Sequence, residues 1–128
     1  LLIAHAIEKS RERAWHTNMT LTTTETQFLH IAKSAISIAR KELGIKVGLI
    51  RPITLWPFPE EALRKLSKAD HVKAFLDVEM SSTGQMIDDV RLSVEGRKPI
   101  HYLGHAGGVM PTVEEMVEAA KKALKEGK

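Results

Sequence analysis

The chain contains no cysteine. Its 128 residues therefore hold no disulfide framework, no thiolate zinc site and no cysteine-ligated iron–sulfur cluster. An intracellular protein is the simplest reading. Aromatic residues are also scarce, at 5%. The net charge of +3 and pI of about 9.3 come from Lys, Arg, Asp and Glu interspersed along the predicted helices, not gathered in a stripe. With no basic-aromatic stacking pattern, this is a solvated surface and no nucleic-acid interface is expected. Long apolar runs are missing as well. The opening LLIAHAI is too short to span a bilayer, has no basic segment before it and is followed by the charged EKSRER instead of a small-residue cleavage site. It is expected to be neither a signal peptide nor a membrane anchor. Because the chain begins with Leu1, it is read as a piece of a longer polypeptide.

What is present is enough apolar content, 43%, for one ordinary core and too short a chain for two. From residue 28 onward the periodicity changes in a regular way. Phe28, Ala32, Ala35, Ile36, Ala39 and Leu43 recur at helical spacing, and Gly44 stops the helix. IKVGLIR then reads as a strand buried on both faces. The helix PEEALRKLS follows, with Pro59 at its first position and Glu60 and Glu61 at the positive end of its dipole. The pattern repeats with a buried strand VKAFLDVE. Its helix opens on a predicted capping box of Ser82 and Gln85, has Met86, Ile87, Val90 and Val94 facing inward, and ends at Gly96. A third strand, PIHYL, leads through GHAGGVMP to a last helix, with a capping box of Thr112 and Glu115 and a stripe of Val113, Met116, Val117, Ala120, Ala123 and Leu124. Three successive strand-then-helix units predict an α/β domain, a three-layer αβα sandwich around a mostly parallel sheet. Residues 1–27 read as an N-terminal extension or linker, and residues 28–128 as the domain. Within the extension IEKSRERAWH has helical character. TLTTTET has threonine-rich strand propensity but almost no apolar content, so its state stays open.

In such a sheet, ligands and partners meet the carboxyl ends of the strands, where three connections fall. The first, RPITLWPFP, joins Arg51 to the apolar Ile53, Leu55, Trp56 and Phe58, with Pro52, Pro57 and Pro59 limiting the backbone. It reads either as a rigid interface built on Arg51, Pro52, Ile53, Leu55, Trp56 and Phe58, or as a cover for the domain's own core. The second, EMSSTGQ, brings Glu79, Ser81, Ser82 and Gly84 to a helix N-terminus. That fits a small-anion contact, but capping and turn chemistry is the simpler reading. The third, GHAGGVMPT, with His105, Gly107 and Gly108, is glycine-rich before a helix but matches neither nucleotide-binding glycine pattern, so a tight crossing at positive φ competes with a phosphate loop. His101 and His105, four apart in a strand and loop, are not aligned as metal ligands. Asp77 and Glu79 share a strand face, which alone does not make an acid/base pair. No catalytic residue, metal ligand or cofactor-binding residue is assigned.

Together GIKVGLIRPITLWPFPEEALRKL, VKAFLDVEMSSTGQMIDDVRLSVEGR and IHYLGHAGGVMPTVEEM resemble the C-terminal part of the α subunit of 2-oxoacid:ferredoxin oxidoreductases, of the branch acting on 2-oxoisovalerate or 2-oxoglutarate. The resemblance covers residues 31–126. It implies a transketolase C-terminal-like domain in a cytoplasmic, multi-subunit enzyme using thiamine diphosphate, magnesium, coenzyme A and iron–sulfur clusters, none bound by this domain. That enzyme oxidatively decarboxylates a 2-oxoacid to an acyl-CoA and passes electrons to ferredoxin. What carries over is a non-catalytic assembly domain whose partners are other domains and subunits, with self-association as a further expectation. A stand-alone small-anion or ligand-binding module and a structural oligomerisation domain are the competing readings. Two departures stand out. His105 falls where the resemblance leads one to expect Arg, and TNMTLTTTETQFLH shows neither an apolar first strand nor its small-residue turn.

Overall fold

The structure is a computed structural model and describes residues 2–7, 23–50, 57–107 and 109–126. In chain order the elements are β1 (Leu2–Ile7), α1 (Thr23–Glu42), β2 (Val47–Ile50), α2 (Glu60–Ser67), β3 (Val72–Glu79), α3 (Ile87–Val94), β4 (Ile100–Gly104) and α4 (Val113–Glu126). The strands form one sheet in the order β2-β1-β3-β4. β3 and β4 are parallel, with Phe75 opposite Ile100 and Glu79 opposite Gly104. β1 runs antiparallel to both β2 and β3, so β2, β3 and β4 all point the same way and their carboxyl ends share one edge. The α/β sandwich expected from the three strand-then-helix units is the architecture found.

Alternation along β3 assigns the two faces. Leu76 and Val78 join Phe28, Ala32, Ala35, Met116 and Val117 in the core under α1 and α4. Phe75 points the other way, into a cluster with Leu63 of α2 and Val90 and Val94 of α3, all fully buried. Small residues on α1, with Ala39 packed beside Ile45 and Val47, bring that helix close to the sheet.

Several boundaries differ from the sequence reading. LIAHAI, Leu2–Ile7, is an inner strand that the sequence leaves unassigned; a short apolar run carries no period that separates strand from helix. α1 begins at Thr23, so the later part of TLTTTET is helical. Threonine-rich chain offers no apolar face for a buried strand, whereas a helix continuing from Phe28 buries every third or fourth residue. Leu43 lies just past the helix and is 39% exposed. IKVGLIR is not buried on both faces: among the described residues β2 is an edge strand, and Leu49 and Ile50 are half-buried. Pro59 is the residue before α2, not its first helical position.

Candidate functional site

The carboxyl ends of β3 and β4, with the segments leading into α3 and α4, bring most of the second and third predicted connections together. Glu79 ends β3 and is 2% exposed. Its two oxygens accept the backbone N–H groups of Gln85 at 2.5 Å and Met86 at 2.9 Å. The cap of α3 is therefore a carboxylate reached from the preceding strand, and the predicted Ser82–Gln85 capping box is not formed. α3 starts only at Ile87, Met86 makes no side-chain cap bond, and Ser82 is exposed. A buried carboxylate gains more from two N–H donors at a helix N-terminus than an exposed serine hydroxyl offers. Glu79 also occupies the place an anion would take on those two donors.

The loop between Glu79 and Met86 is fixed to β4. The Oγ of Ser81 accepts the Gly84 N–H at 3.2 Å, and the carbonyl of Ser81 accepts the hydroxyl of Tyr102. The Tyr102 ring lies across Gly104, where a Cβ would stand 2.0 Å from the Ser81 carbonyl oxygen and 2.7 Å from the ring's Cζ. Gly84 adopts φ +82, and a Cβ there would press on Ile87 and Tyr102. Burial pushes the Tyr102 phenol up from its ordinary pKa, with Glu79 adding to the effect and the bond to Ser81 opposing it.

Asp77 is the residue whose part the sequence does not disclose. It pairs with Tyr102 across the sheet, is 0% exposed, and neither carboxyl oxygen has a hydrogen-bond partner among the described residues. Burial, then the neighbouring Glu79 carboxyl, push its pKa from 3.8 up to about 8, while the positive charge of the N-terminus, then Arg91, oppose the shift. Burial beside a second carboxyl thus favours the protonated form of Asp77. Two carboxylates on the same face of a strand read as buried were the available signal, since unpaired burial of both charges is too costly to persist.

The third connection is fixed in its own way. The Thr112–Glu115 capping box forms as predicted, with Thr112 N–H to Glu115 at 2.9 Å and Glu115 N–H to Thr112 Oγ1 at 3.2 Å. His105 Nε2 lies 2.9 Å from the same Glu115 oxygen. The bond to His105, then the Thr112 N–H, hold the Glu115 carboxyl below its usual range. Gly107 has φ +71, as a tight crossing requires; Gly108 lies outside the described residues. His101 is separate from His105 and faces Glu126 at 3.3 Å. Of the first connection, Arg51, Pro52, Ile53, Leu55 and Trp56 lie outside the described residues. Phe58 is half-buried against the cluster of Leu63, Val72 and Phe75, so it serves the domain's own core.

Among the described residues no donor set fits an iron–sulfur cluster or a free pyrophosphate. An iron–sulfur cluster needs thiolates, and the chain has no cysteine. A pyrophosphate needs cationic or N–H donors, whereas the N–H donors at the start of α3 are already engaged by Glu79. Among the described residues no group of three metal-ligating side chains comes together, and no helix is long and apolar enough to cross a membrane.

Comparison with known proteins agrees with the fold and sets its family. Residues 19–116 match the family model of pyruvate:ferredoxin oxidoreductase core domain II. The ketoisovalerate oxidoreductase subunit VorB of Methanothermobacter thermautotrophicus is 41% identical over 92 residues, covering 72% of this chain and 25% of that protein. The pyruvate synthase subunit PorA of Pyrococcus furiosus is 35% identical over 98 residues, covering 70% of this chain and 25% of the relative. The 2-oxoglutarate synthase subunit KorA of Methanothermobacter marburgensis is 32% identical over 84 residues, covering 66% and 21%. No solved structure gives a significant match. The chain spans about a quarter of the length of the curated relatives it matches. An αβα domain with its polar groups gathered at the carboxyl edge, matched over this length, belongs to the core domain II family of the 2-oxoacid:ferredoxin oxidoreductases.

Proposed function

We propose that this chain is a non-catalytic assembly domain of an enzyme that oxidatively decarboxylates a 2-oxoacid to an acyl-CoA and reduces ferredoxin. The observation that carries this reading is how the polar groups of the carboxyl edge are used. Glu79 caps α3, Tyr102 holds the Ser81 carbonyl, and His105 and Glu115 close the entry to α4. Each fixes a loop, and a fixed, preorganised edge suits docking. Thiamine diphosphate, magnesium, coenzyme A and the iron–sulfur clusters would then be held by other domains and subunits, and ferredoxin would meet the complex there. Ketoisovalerate, pyruvate and 2-oxoglutarate all occur in the relatives' names, and the identity with VorB favours a branched 2-oxoacid.

The docking element of this proposal is the segment 51–56, ahead of the core contact made by Phe58. Trp56→Ala in the intact protein is expected to weaken assembly about tenfold by sedimentation, as loss of an aromatic anchor does, with little change in the denaturation midpoint. Phe58→Ala, removing a core contact, is expected to lower the midpoint instead. Equal loss of folding and assembly in Trp56→Ala would leave that segment as core cover alone.

A further inference from the structure

The buried pair at the end of β3 does something that assembly by itself does not require. Glu79 uses both oxygens as acceptors for α3, the role of a carboxylate. Asp77, on the same strand face, is fully buried and has no donor aimed at either oxygen among the described residues. Such an arrangement is tolerable only with a proton on the pair, donated by Asp77 toward Glu79. Other groups face Asp77 from the elements packed around it. From β4, the Tyr102 phenol lies opposite it and is turned to the Ser81 carbonyl. From α3, Arg91 acts on Asp77 at longer range while its guanidinium is bonded to Asp88 at 3.1 Å. From β1, the residue in register is Ile3, which does not titrate, and the positive charge of the N-terminus acts on Asp77 in the same sense as Arg91.

We propose that Asp77, Glu79 and Tyr102 form a proton-dependent latch in which one proton held between the two carboxyls keeps residues 80–86 and the start of α3 seated on β4. When that proton leaves, two carboxylates share a site closed to water. The strain is relieved by moving Glu79 outward, because its contacts are to a loop, whereas Asp77 is fixed by strands on both sides. Glu79 then lets go of the Gln85 and Met86 N–H groups, and α3 loses its cap. The latch thereby makes the order of one carboxyl-edge loop depend on pH, at the edge where the proposed docking takes place.

Hydrogen–deuterium exchange on the intact protein, corrected for the intrinsic pH dependence of exchange, tests this directly. Amides of residues 80–90 are expected to lose about tenfold more protection than those of α4 on passing from well below to well above the Asp77 pKa of about 8. Asp77→Asn supplies a permanently neutral donor to Glu79 and is expected to remove the pH dependence. Tyr102→Phe, which frees the Ser81 carbonyl, is expected to reduce protection of 80–86 already at the lower pH. The infrared C=O band of a protonated carboxyl, expected to vanish over the same transition, reads the proton in wild-type protein without any variant. Unchanged protection across the transition, or the same loss in Asp77→Asn, would overturn the latch, as would absence of the protonated-carboxyl band.

Discussion

Gly104→Ala is expected to destabilise the domain by about 3 kcal/mol, near the upper end for overpacking by a single methyl group. The new Cβ would stand 2.0 Å from the carbonyl oxygen of Ser81. That oxygen is backbone, so no rotamer change removes it. Its position is fixed from two sides: Glu79 pairs with Gly104 in the sheet, and Tyr102 donates its hydroxyl to the same carbonyl. Gly107→Ala is the matched comparison. Gly107 has φ +71 but nothing within 4 Å of where the added methyl group would stand, so only the backbone conformation resists, at about 1 to 2 kcal/mol. Denaturant midpoints of the two variants should therefore separate clearly. If Gly104→Ala is no worse than Gly107→Ala, the close approach of the 80–86 loop to β4 is wrong.

Asp77→Asn is expected to raise stability at neutral pH, by on the order of 3 kcal/mol. The sign follows from proton counts. In the unfolded chain Asp77 ionises at its ordinary pKa of 3.8, and in the folded domain only at about 8. Between those values the folded state binds more protons than the unfolded state. Stability therefore falls as pH rises through that window, by at most about 1.4 kcal/mol per pH unit from this group, and levels off above it. Asparagine keeps the shape and the neutrality without the proton uptake, so the variant's slope over the window should be shallower and its curve should cross above wild type. A slope unchanged by the substitution would place the proton elsewhere. Asp77→Ala is not equivalent, because it leaves a small void at a fully buried position.

Much of this domain is legible in its sequence because local signals agree with tertiary packing. The stripe of α4 and its Thr112–Glu115 box need only neighbours within the helix, and both are present as read. The inward face of α3 is equally clear, with Met86, Ile87, Val90 and Val94 all buried. Its cap is not legible, because Glu79 bonds an N–H six positions further along the chain, a separation that no capping motif encodes. The apolar run at Leu2–Ile7 is silent for a different reason: six residues with a histidine among them look the same as a strand or as a helical fragment. The carboxyl edge follows correctly from topology, yet its chemistry turns on Asp77, whose same-face spacing with Glu79 acquires meaning only once burial is known.

Whether this chain works inside a 2-oxoacid:ferredoxin oxidoreductase is the central question, and one measurement addresses it most directly. The intact protein, tagged and isolated from native lysate, would be identified with its companions by mass spectrometry and assayed for 2-oxoacid- and coenzyme A-dependent dye reduction. Recovery of a thiamine diphosphate-binding subunit, with activity that needs both substrates, is the result predicted. Isolation of the protein alone, with no such activity, would contradict the assignment to the complex.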